Sequence, residues 1–276
     1  MKRNAIARIV IYSLIVVILV GVLVHGMDWD GFHFDLDLGD DAQVVTGTAS
    51  VEPSSIKHIR IEWVDGLVDV ATADQDTITF SETNGEKQCM VYQIKGDTLV
   101  IRYSKESIQL GIHVTSPNKQ LTVYVPQDWM ADSIEISAVS AMVTVDLPEV
   151  GETTVETVSG DIMVRHIRSQ EISLTTVSGY ACFEGICKEL DCESVSGNCK
   201  VILSDKANNI SMESVSGNLD MMLPQQCGFS AELESASGDI GSTFPTHVSG
   251  HTYTYGNGRM RIEAQTVSGN ICIYES

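Results

Sequence analysis

Apolar residues in the second half of the chain fall at five fixed positions around a recurring glycine. They lie seven, five and two residues before it and two and four residues after it. Around Gly179 these positions hold Ile172, Leu174, Val177, Ala181 and Phe183. Because alternate residues of a β-strand point to the same face, spacing by two predicts two short strands. The step of three between positions −5 and −2 predicts a bend at which both apolar sets turn toward one interior.

This unit repeats, because Val-Ser-Gly or Ala-Ser-Gly recurs at intervals of 18 to 21 residues and once more after an interruption. The repeated glycines are Gly160, Gly179, Gly197, Gly217, Gly238 and Gly269. A fixed period of this length predicts a stack of equivalent units, which we call rungs. Strands this short must pair with the matching strands of neighbouring rungs, so the sequence predicts an all-β, single-stranded parallel β-helix. Each glycine is expected at the corner, at positive φ or where another backbone approaches closely.

The same five apolar positions extend the predicted β-solenoid toward the N-terminus. They are filled around Gly66, which lacks the tripeptide, and nearly filled around Ala141. These two residues are 75 positions apart, close to four periods, so degenerate rungs are expected between them. The predicted solenoid therefore covers residues 51–276, with degenerate rungs at 51–130 and regular rungs at 131–276.

One copy of the tripeptide does not fit the pattern. Gly250 lies only 12 residues after Gly238, and Pro245 occupies its −5 position. Residues 244–258 are therefore predicted to be an insertion, with a hairpin over His251-Thr252-Tyr253-Thr254-Tyr255.

The N-terminal region predicts a membrane anchor. Residues 9–24 carry no charge, basic residues precede them, and Asp28 and Asp30 follow. This pattern predicts a cytoplasmic N-terminus at 1–4, a single transmembrane helix at 5–26 and an extracellular solenoid. A cleavable signal peptide is the alternative, although Val24-His25-Gly26 makes a poor cleavage site.

Residues 27–50 are predicted to be an acidic juxtamembrane linker. Its aspartates could offer oxygen ligands to Ca²⁺, and they are Asp28, Asp30, Asp35, Asp37, Asp40 and Asp41. The segment lacks the spacing of known calcium loops, so we expect a solvated linker. No metal site and no cofactor is predicted anywhere in the chain.

Charge and cysteine content narrow the possible partners. The net charge of −20 argues against nucleic acid, which requires a basic surface. The seven cysteines lack zinc-site spacing, and no disulfide scaffold is predicted. Cys192 and Cys199 are expected to point inward, and Cys182 and Cys272, at position +3, are expected to point outward.

Stacking also predicts columns of equivalent residues on the surface. A serine column at −1 and an Asn/Asp column at +1 are expected to hydrogen-bond along the stack. The column at −4 contains Glu193, Glu213 and Glu234, which are expected one rung apart. Like charges at that spacing repel, so these glutamates are candidates to bind a cation or a basic partner. The alternative is a set of splayed, solvated carboxylates.

No serine stands with a histidine and an aspartate in a catalytic pattern, and we predict no enzyme activity. The alternative of a polysaccharide-acting β-helix enzyme would have to use Asp161, Asp220 and Asp239, which fall in separate rungs. A further alternative is a self-associating structural envelope protein, because the strand at Ile271 to Tyr274 ends the chain and could leave an uncovered edge.

Several features together resemble one bacterial family. They are the N-terminal anchor, the strand Leu121-Thr-Val-Tyr-Val-Pro126, and the Thr-Val-Ser-Gly-Asp-Ile and Thr-Val-Ser-Gly-Asn-Ile rungs. The chain resembles the β-strand-repeat family of unknown function labelled "putative adhesin", which includes LiaG-like membrane-anchored proteins. The resemblance implies a right-handed β-helix at the cell surface and carries over no site residues. We therefore expect a non-catalytic adhesin or envelope-stress accessory protein, whose partners are the membrane and an envelope protein or glycan.

Overall fold

Parallel strands stacked on both sides of a repeated corner form most of the described chain. The computed structural model describes residues 43–45, 47–83, 90–103 and 119–276. The first part contains β1 (Gln43–Val45), β2 (Thr48–Val51), the short 3-10 helix η1 (Pro53–Ser55), β3 (His58–Trp63), β4 (Leu67–Ala73), β5 (Ile78–Thr83), β6 (Met90–Lys95), β7 (Thr98–Arg102) and β8 (Gln120–Pro126).

The remaining strands form the regular rungs and the C-terminal end. The regular rungs contain β9 (Ala131–Ala138), β10 (Met142–Asp146), β11 (Val150–Thr157), β12 (Ile162–Thr176), β13 (Ala181–Ser194), β14 (Cys199–Leu203), β15 (Asn209–Ser214) and β16 (Leu219–Leu223). The C-terminal end contains β17 (Phe229–Ser235), β18 (Ile240–Ser242), β19 (His247–Ser249), β20 (Thr252–Tyr255), β21 (Met260–Thr266) and β22 (Ile271–Glu275).

Equivalent residues of successive rungs pair in register, as the repeat predicts. Before the corner Ile172 pairs with Leu190 and Leu190 with Ile210, in parallel. After the corner Ala181 pairs with Cys199, also in parallel. Strands β12 and β13 each run from the post-corner part of one rung into the pre-corner part of the next. The protein is therefore an all-β solenoid, whereas its right-handedness stays a prediction.

The interior corrects one position of the predicted pattern. Thr176, three residues before Gly179, is buried, whereas Val177 at −2 is only partly buried. Strand alternation thus continues from −7 through −5 to −3, and the chain bends after −3. The valines at −2 lie on the outside of the corner, so the step of three in the apolar pattern reflects a switch from the inner to the outer surface.

The N-terminal end differs from the predicted run of degenerate rungs. Strand β3 pairs with β9 on one side and β7 on the other, and β4 pairs with β10 and β8. The rungs of Gly66 and Ala141 are therefore direct neighbours, and strands β5 to β8, which come between them in the sequence, lie beyond the Gly66 rung. They add antiparallel pairs there, β5 with β8 and β6 with β7.

The predicted linker boundary at residue 50 is also wrong. Strand β1 pairs with β6 and β2 pairs with β5, both antiparallel, so two strands that begin before residue 50 belong to the sheet. The edges of β5 and β6 that are not paired with β8 and β7 are thus covered by β2 and β1.

The C-terminal end reverses the order of the last two rungs. Strand β21 lies between β15 and β17, and β22 lies between β16 and β18. The expectation that the strand at Ile271–Tyr274 has an uncovered edge is therefore wrong. The antiparallel hairpin β19–β20 lies on β17, with Gly250 in its turn at a φ of 64°.

Parts of the N-terminal prediction lie outside the described residues. These are the segments 1–4 and 5–26, and the candidate calcium aspartates between Asp28 and Asp41. Within the ranges that are described, no helix is long and apolar enough to cross a bilayer.

Candidate functional site

The repeated glycines occupy a close backbone contact at the corner. A Cβ atom added to Gly197 would lie 1.7 Å from the carbonyl oxygen of Gly179, and one added to Gly217 would lie 1.9 Å from that of Gly197. The same contact recurs at Gly160, Gly179, Gly238 and Gly269. Gly66 combines a contact of 1.9 Å to Lys119 with a φ of 93°. The seven glycines are thus parts of the scaffold.

A hydroxyl column at −3, buried except at Ser235, lies beneath these corners, and the sequence interpretation overlooked it. The N–H of Gly179 donates to Thr176 Oγ1 at 2.9 Å, and the N–H of Gly197 donates to Ser194 Oγ at 2.7 Å. Equivalent residues are Thr157, Ser214, Ser235 and Thr266. The signal is visible in the sequence, since a Ser or Thr stands three residues before each of these glycines.

The two outer columns at the corner bond to the backbone of the adjoining rung. Ser196 Oγ donates to the carbonyl of Val177 at 3.3 Å. In the +1 column, the Oδ1 atom of Asn198 accepts from the N–H of Asn218 at 2.9 Å, and the same bond links Asn218 to Asn270. These serines and asparagines therefore hold neighbouring rungs together.

The predicted glutamate column is brought together only in part. Glu193 pairs in register with Glu213, but Glu213 is followed by Gln265, and Glu234 comes after that. The expectation that all three glutamates lie one rung apart is wrong for Glu234, because β21 intervenes. Burial, followed by the nearby charges of Asp191 and Glu213, raises the pKa of Glu193 to about 7.

The glutamates belong to a larger acidic face, formed by the outward positions −8, −6 and −4 of the pre-corner strands. Its carboxylates are Glu135, Glu152, Glu156, Glu171, Glu189, Asp191, Glu193, Glu213, Glu232, Glu234 and Glu263. Glu152 pairs in register with Glu171, and Glu171 with Glu189. Burial also raises the pKa of Glu156 and of Asp191. The run of Glu152, Glu171 and Glu189 thus places like charges one strand spacing apart, roughly 4.8 Å, whereas Glu135 of the same face forms an ion pair with Arg60.

The post-corner strands present a second outer surface, the mixed face, at positions +3 and +5. Here Arg165 stands in register between Asp146 and Glu184, and its Nε lies 3.2 Å from Asp146 Oδ2. Lys200 stands in register with Asp220 on the neighbouring strand. In these two groups, residues of opposite charge are neighbours on adjacent strands. In-register stacking is therefore compatible with favourable charge pairs.

The cysteines among the described residues divide between the interior and the mixed face. Cys192 and Cys199 are fully buried, whereas Cys182 and Cys272 are partly exposed on the mixed face. Three strand spacings separate Cys182 from Cys272, roughly 14 Å. That distance is too long for a disulfide.

The three aspartates available to a polysaccharide-acting enzyme lie apart. Asp161 and Asp239 occupy the same column, five strand spacings from each other, roughly 24 Å. Asp220 lies at +3 on the mixed face. Paired glycosidase carboxylates stand about 5–9.5 Å apart, so this arrangement does not supply such a pair. Within the described ranges, no group of three His, Cys, Asp or Glu residues could hold a metal ion.

In-register rungs, a glycine corner and ladders of Ser, Thr and Asn define a parallel β-strand-repeat solenoid. The chain belongs to the Toastrack DUF4097 family, whose profile matches residues 56–186 and 149–274. This membership confirms the resemblance drawn from the repeat. No match was found among curated proteins.

Solved structures with a similar course of strands share little sequence with the chain. A "putative adhesin" from Bacteroides fragilis is 13% identical, with 85% of this chain and 97% of that chain covered and a TM-score of 0.45. A "putative lipid binding protein" from Parabacteroides distasonis is also 13% identical, with 86% and 98% covered and a TM-score of 0.45. A "putative cell adhesion protein" from Clostridium sporogenes is 14% identical, with 85% and 100% covered and a TM-score of 0.37.

Proposed function

We propose that the protein is a non-catalytic binding scaffold of the cell envelope, in which the acidic face binds a basic partner. The observation that carries this proposal is the in-register run of Glu152, Glu171 and Glu189 on adjacent strands. Like charges directly opposite each other on neighbouring strands destabilise a sheet. A basic partner would neutralise these carboxylates and recover that energy on binding.

The backbone does not require this repulsion. On the mixed face the same stacking places Arg165 between Asp146 and Glu184, and Lys200 beside Asp220. Solvent and salt screen the exposed glutamates in part, so the energetic cost is modest. A long acidic surface also attracts basic partners from a distance and increases their association rate.

The proposed location is the outer surface of a cell membrane, where the described solenoid would act as an adhesin or an envelope-stress accessory protein. The uncharged run at 9–24 and the basic residues before it support a single-pass anchor. Cell fractionation with protease treatment of intact cells tests this location. Full-length protein in the membrane fraction and digestion of the solenoid from outside are expected, and a soluble, protected protein would contradict it.

Site-specific photo-crosslinking in intact cells tests the binding face. Ser173 lies on the acidic face between Thr154 and Asp191, and replacing it leaves every carboxylate in place. A photo-crosslinking residue at position 173 is expected to yield a discrete product with a basic partner. The matched control is the same residue at position 202, on the mixed face. Products of equal yield from both positions, or from position 202 alone, would contradict the proposal.

A separate assay addresses the non-catalytic part of the proposal. Purified full-length protein, incubated with isolated cell-wall polysaccharide, is expected to release no reducing ends above a buffer control. Release that disappears in an Asp161→Asn variant would show instead that the protein acts on polysaccharide.

A further inference from the structure

A cleft of about 410 Å³ opens at the N-terminal end of the solenoid, and none of the carboxylates of the acidic face lines it. Three turns that are distant in sequence line it: η1 with Pro53, the β4–β5 turn, and the β8–β9 turn with Trp129. Its size lies within the range of small-molecule and side-chain binding sites. The cleft combines an aromatic surface with several polar groups, as such sites commonly do.

Three carboxylates line this cleft without a counter-charge from the described residues. Asp74, Asp76 and Asp128 are exposed at its walls, and no Lys, Arg or His is among its lining residues. Within the described part of the chain, none of the three forms an ion pair or a side-chain hydrogen bond. By contrast, the exposed carboxylate of Glu135 forms an ion pair with Arg60 at 2.8 Å. The cleft therefore presents unneutralised negative charge.

The indole of Trp129 is held in place as one wall. Its Nε1–H lies 3.2 Å from the carbonyl oxygens of both Pro53 and Ile56, and its backbone N–H donates to Pro126 at 3.1 Å. The ring is partly buried against the core, and its remaining surface lines the cleft, where a ligand could contact it.

The β4–β5 turn, which forms another wall of the cleft, is also held by hydrogen bonds to backbone carbonyls. Gln75 Nε2 donates to the carbonyl of Thr77 at 2.6 Å and lies 3.1 Å from that of Tyr124. These bonds join the β4–β5 turn to strand β8. Both walls are therefore ordered before any ligand arrives, which lowers the entropic cost of binding.

We propose that this cleft binds an organic cation, namely the guanidinium or ammonium group of a basic side chain in a peptide. An indole favours a cation against its face, and three aspartates favour a positive charge between them. The carbon stem of an Arg or Lys side chain suits the apolar surface of the prolines. The cleft is a second site, independent of the acidic face and of the proposed function.

The test uses full-length protein in a non-ionic detergent, titrated with N-acetyl-arginine amide. Tryptophan fluorescence is expected to change saturably, with a Kd on the order of 1 mM. The change is expected to be absent in Trp129→Phe and absent with N-acetyl-citrulline amide, which has the same shape without the charge. No saturable change, or equal binding of the citrulline compound, would overturn the proposal.

Two triple variants distinguish the loss of a local binding site from a general effect of the protein's net charge on binding. Asp74→Asn/Asp76→Asn/Asp128→Asn is expected to weaken binding at least tenfold, and circular dichroism and thermal melting show whether it stays folded. The matched control, Glu152→Gln/Glu171→Gln/Glu189→Gln, removes the same charge from the acidic face and is expected to change the Kd less than twofold. Equal losses in both triple variants would overturn the proposal.

Discussion

The acidic face and the mixed face have the same backbone stacking but opposite charge arrangements. Glu152, Glu171 and Glu189 follow one another in register on the acidic face. On the mixed face Arg165 separates two acidic residues, and Lys200 neighbours Asp220. Because one scaffold carries both patterns, the like-charge run is a property of that sequence region and not a requirement of the solenoid.

The corner glycines support both faces, so their replacement is expected to have the largest effect. Gly197→Ala would bring a Cβ atom to 1.7 Å from the Gly179 carbonyl oxygen. We expect a loss of about 3 kcal/mol in the free energy of unfolding, measured by urea denaturation. The control is Gly241→Ala, because a Cβ atom there meets nothing within 4 Å. Similar losses in both variants would contradict the close-contact role of the corner.

The buried hydroxyl column is expected to matter less than the glycines. Thr176→Val keeps the shape of the side chain but removes the acceptor for the Gly179 N–H and the oxygen 3.0 Å from Thr157 Oγ1. We expect a loss of about 1–3 kcal/mol in the free energy of unfolding. Thr175→Val, on the outer surface of the same strand, is the control and is expected to change stability by less than about 0.5 kcal/mol. Equal effects would show that the hydroxyl does not support the corner.

Charge reversals test the two faces directly. Glu171→Lys would create alternating charges on the acidic face, and we expect a gain of about 0.5–1 kcal/mol in the free energy of unfolding. Arg165→Glu would create a like-charge run with Asp146 and Glu184 on the mixed face, with a loss of similar size. Both changes should shrink in 1 M NaCl, where screening is strong. A loss of stability in Glu171→Lys would contradict the comparison.

The smallest expected effect is the pH dependence of Glu193. Its folded-state pKa of about 7 lies above its ordinary value of 4.5, so between these values the native state holds a proton that the unfolded chain releases. The resulting stabilisation is complete below about pH 4.5 and is lost as the pH rises through 7. Since Glu193 is partly exposed, we expect Glu193→Gln to be more stable than the parent by a few tenths of a kcal/mol at pH 7.5.

This advantage of Glu193→Gln is expected to disappear at pH 4.5 in urea denaturation. Glu234→Gln is the matched control in the same column, because its register neighbour Gln265 is neutral. An advantage of Glu193→Gln that does not change with pH would show that burial of the Glu193 carboxylate and its repulsion from Asp191 and Glu213 are not the cause.

The strand pattern and the family could be predicted from sequence because the apolar period repeats in every rung. The order of the rungs could not, since β21 and β17 carry the same pattern and either could lie on β15. The role of Thr176 was missed because a buried hydroxyl looks polar in the sequence while the outer Val177 looks apolar. The cleft was missed because Pro53, Asp74 and Trp129 come from three turns without any shared period.

The most direct test of partner binding by the acidic face measures both crosslinking and stability in one variant. Glu171→Lys is introduced into protein that carries the photo-crosslinking residue at position 173, and product yield in cells is compared with the parent. We expect the crosslinked product to fall at least tenfold while the free energy of unfolding stays equal or rises. An undiminished yield in this folded variant would contradict the claim that the like-charge run binds a basic partner.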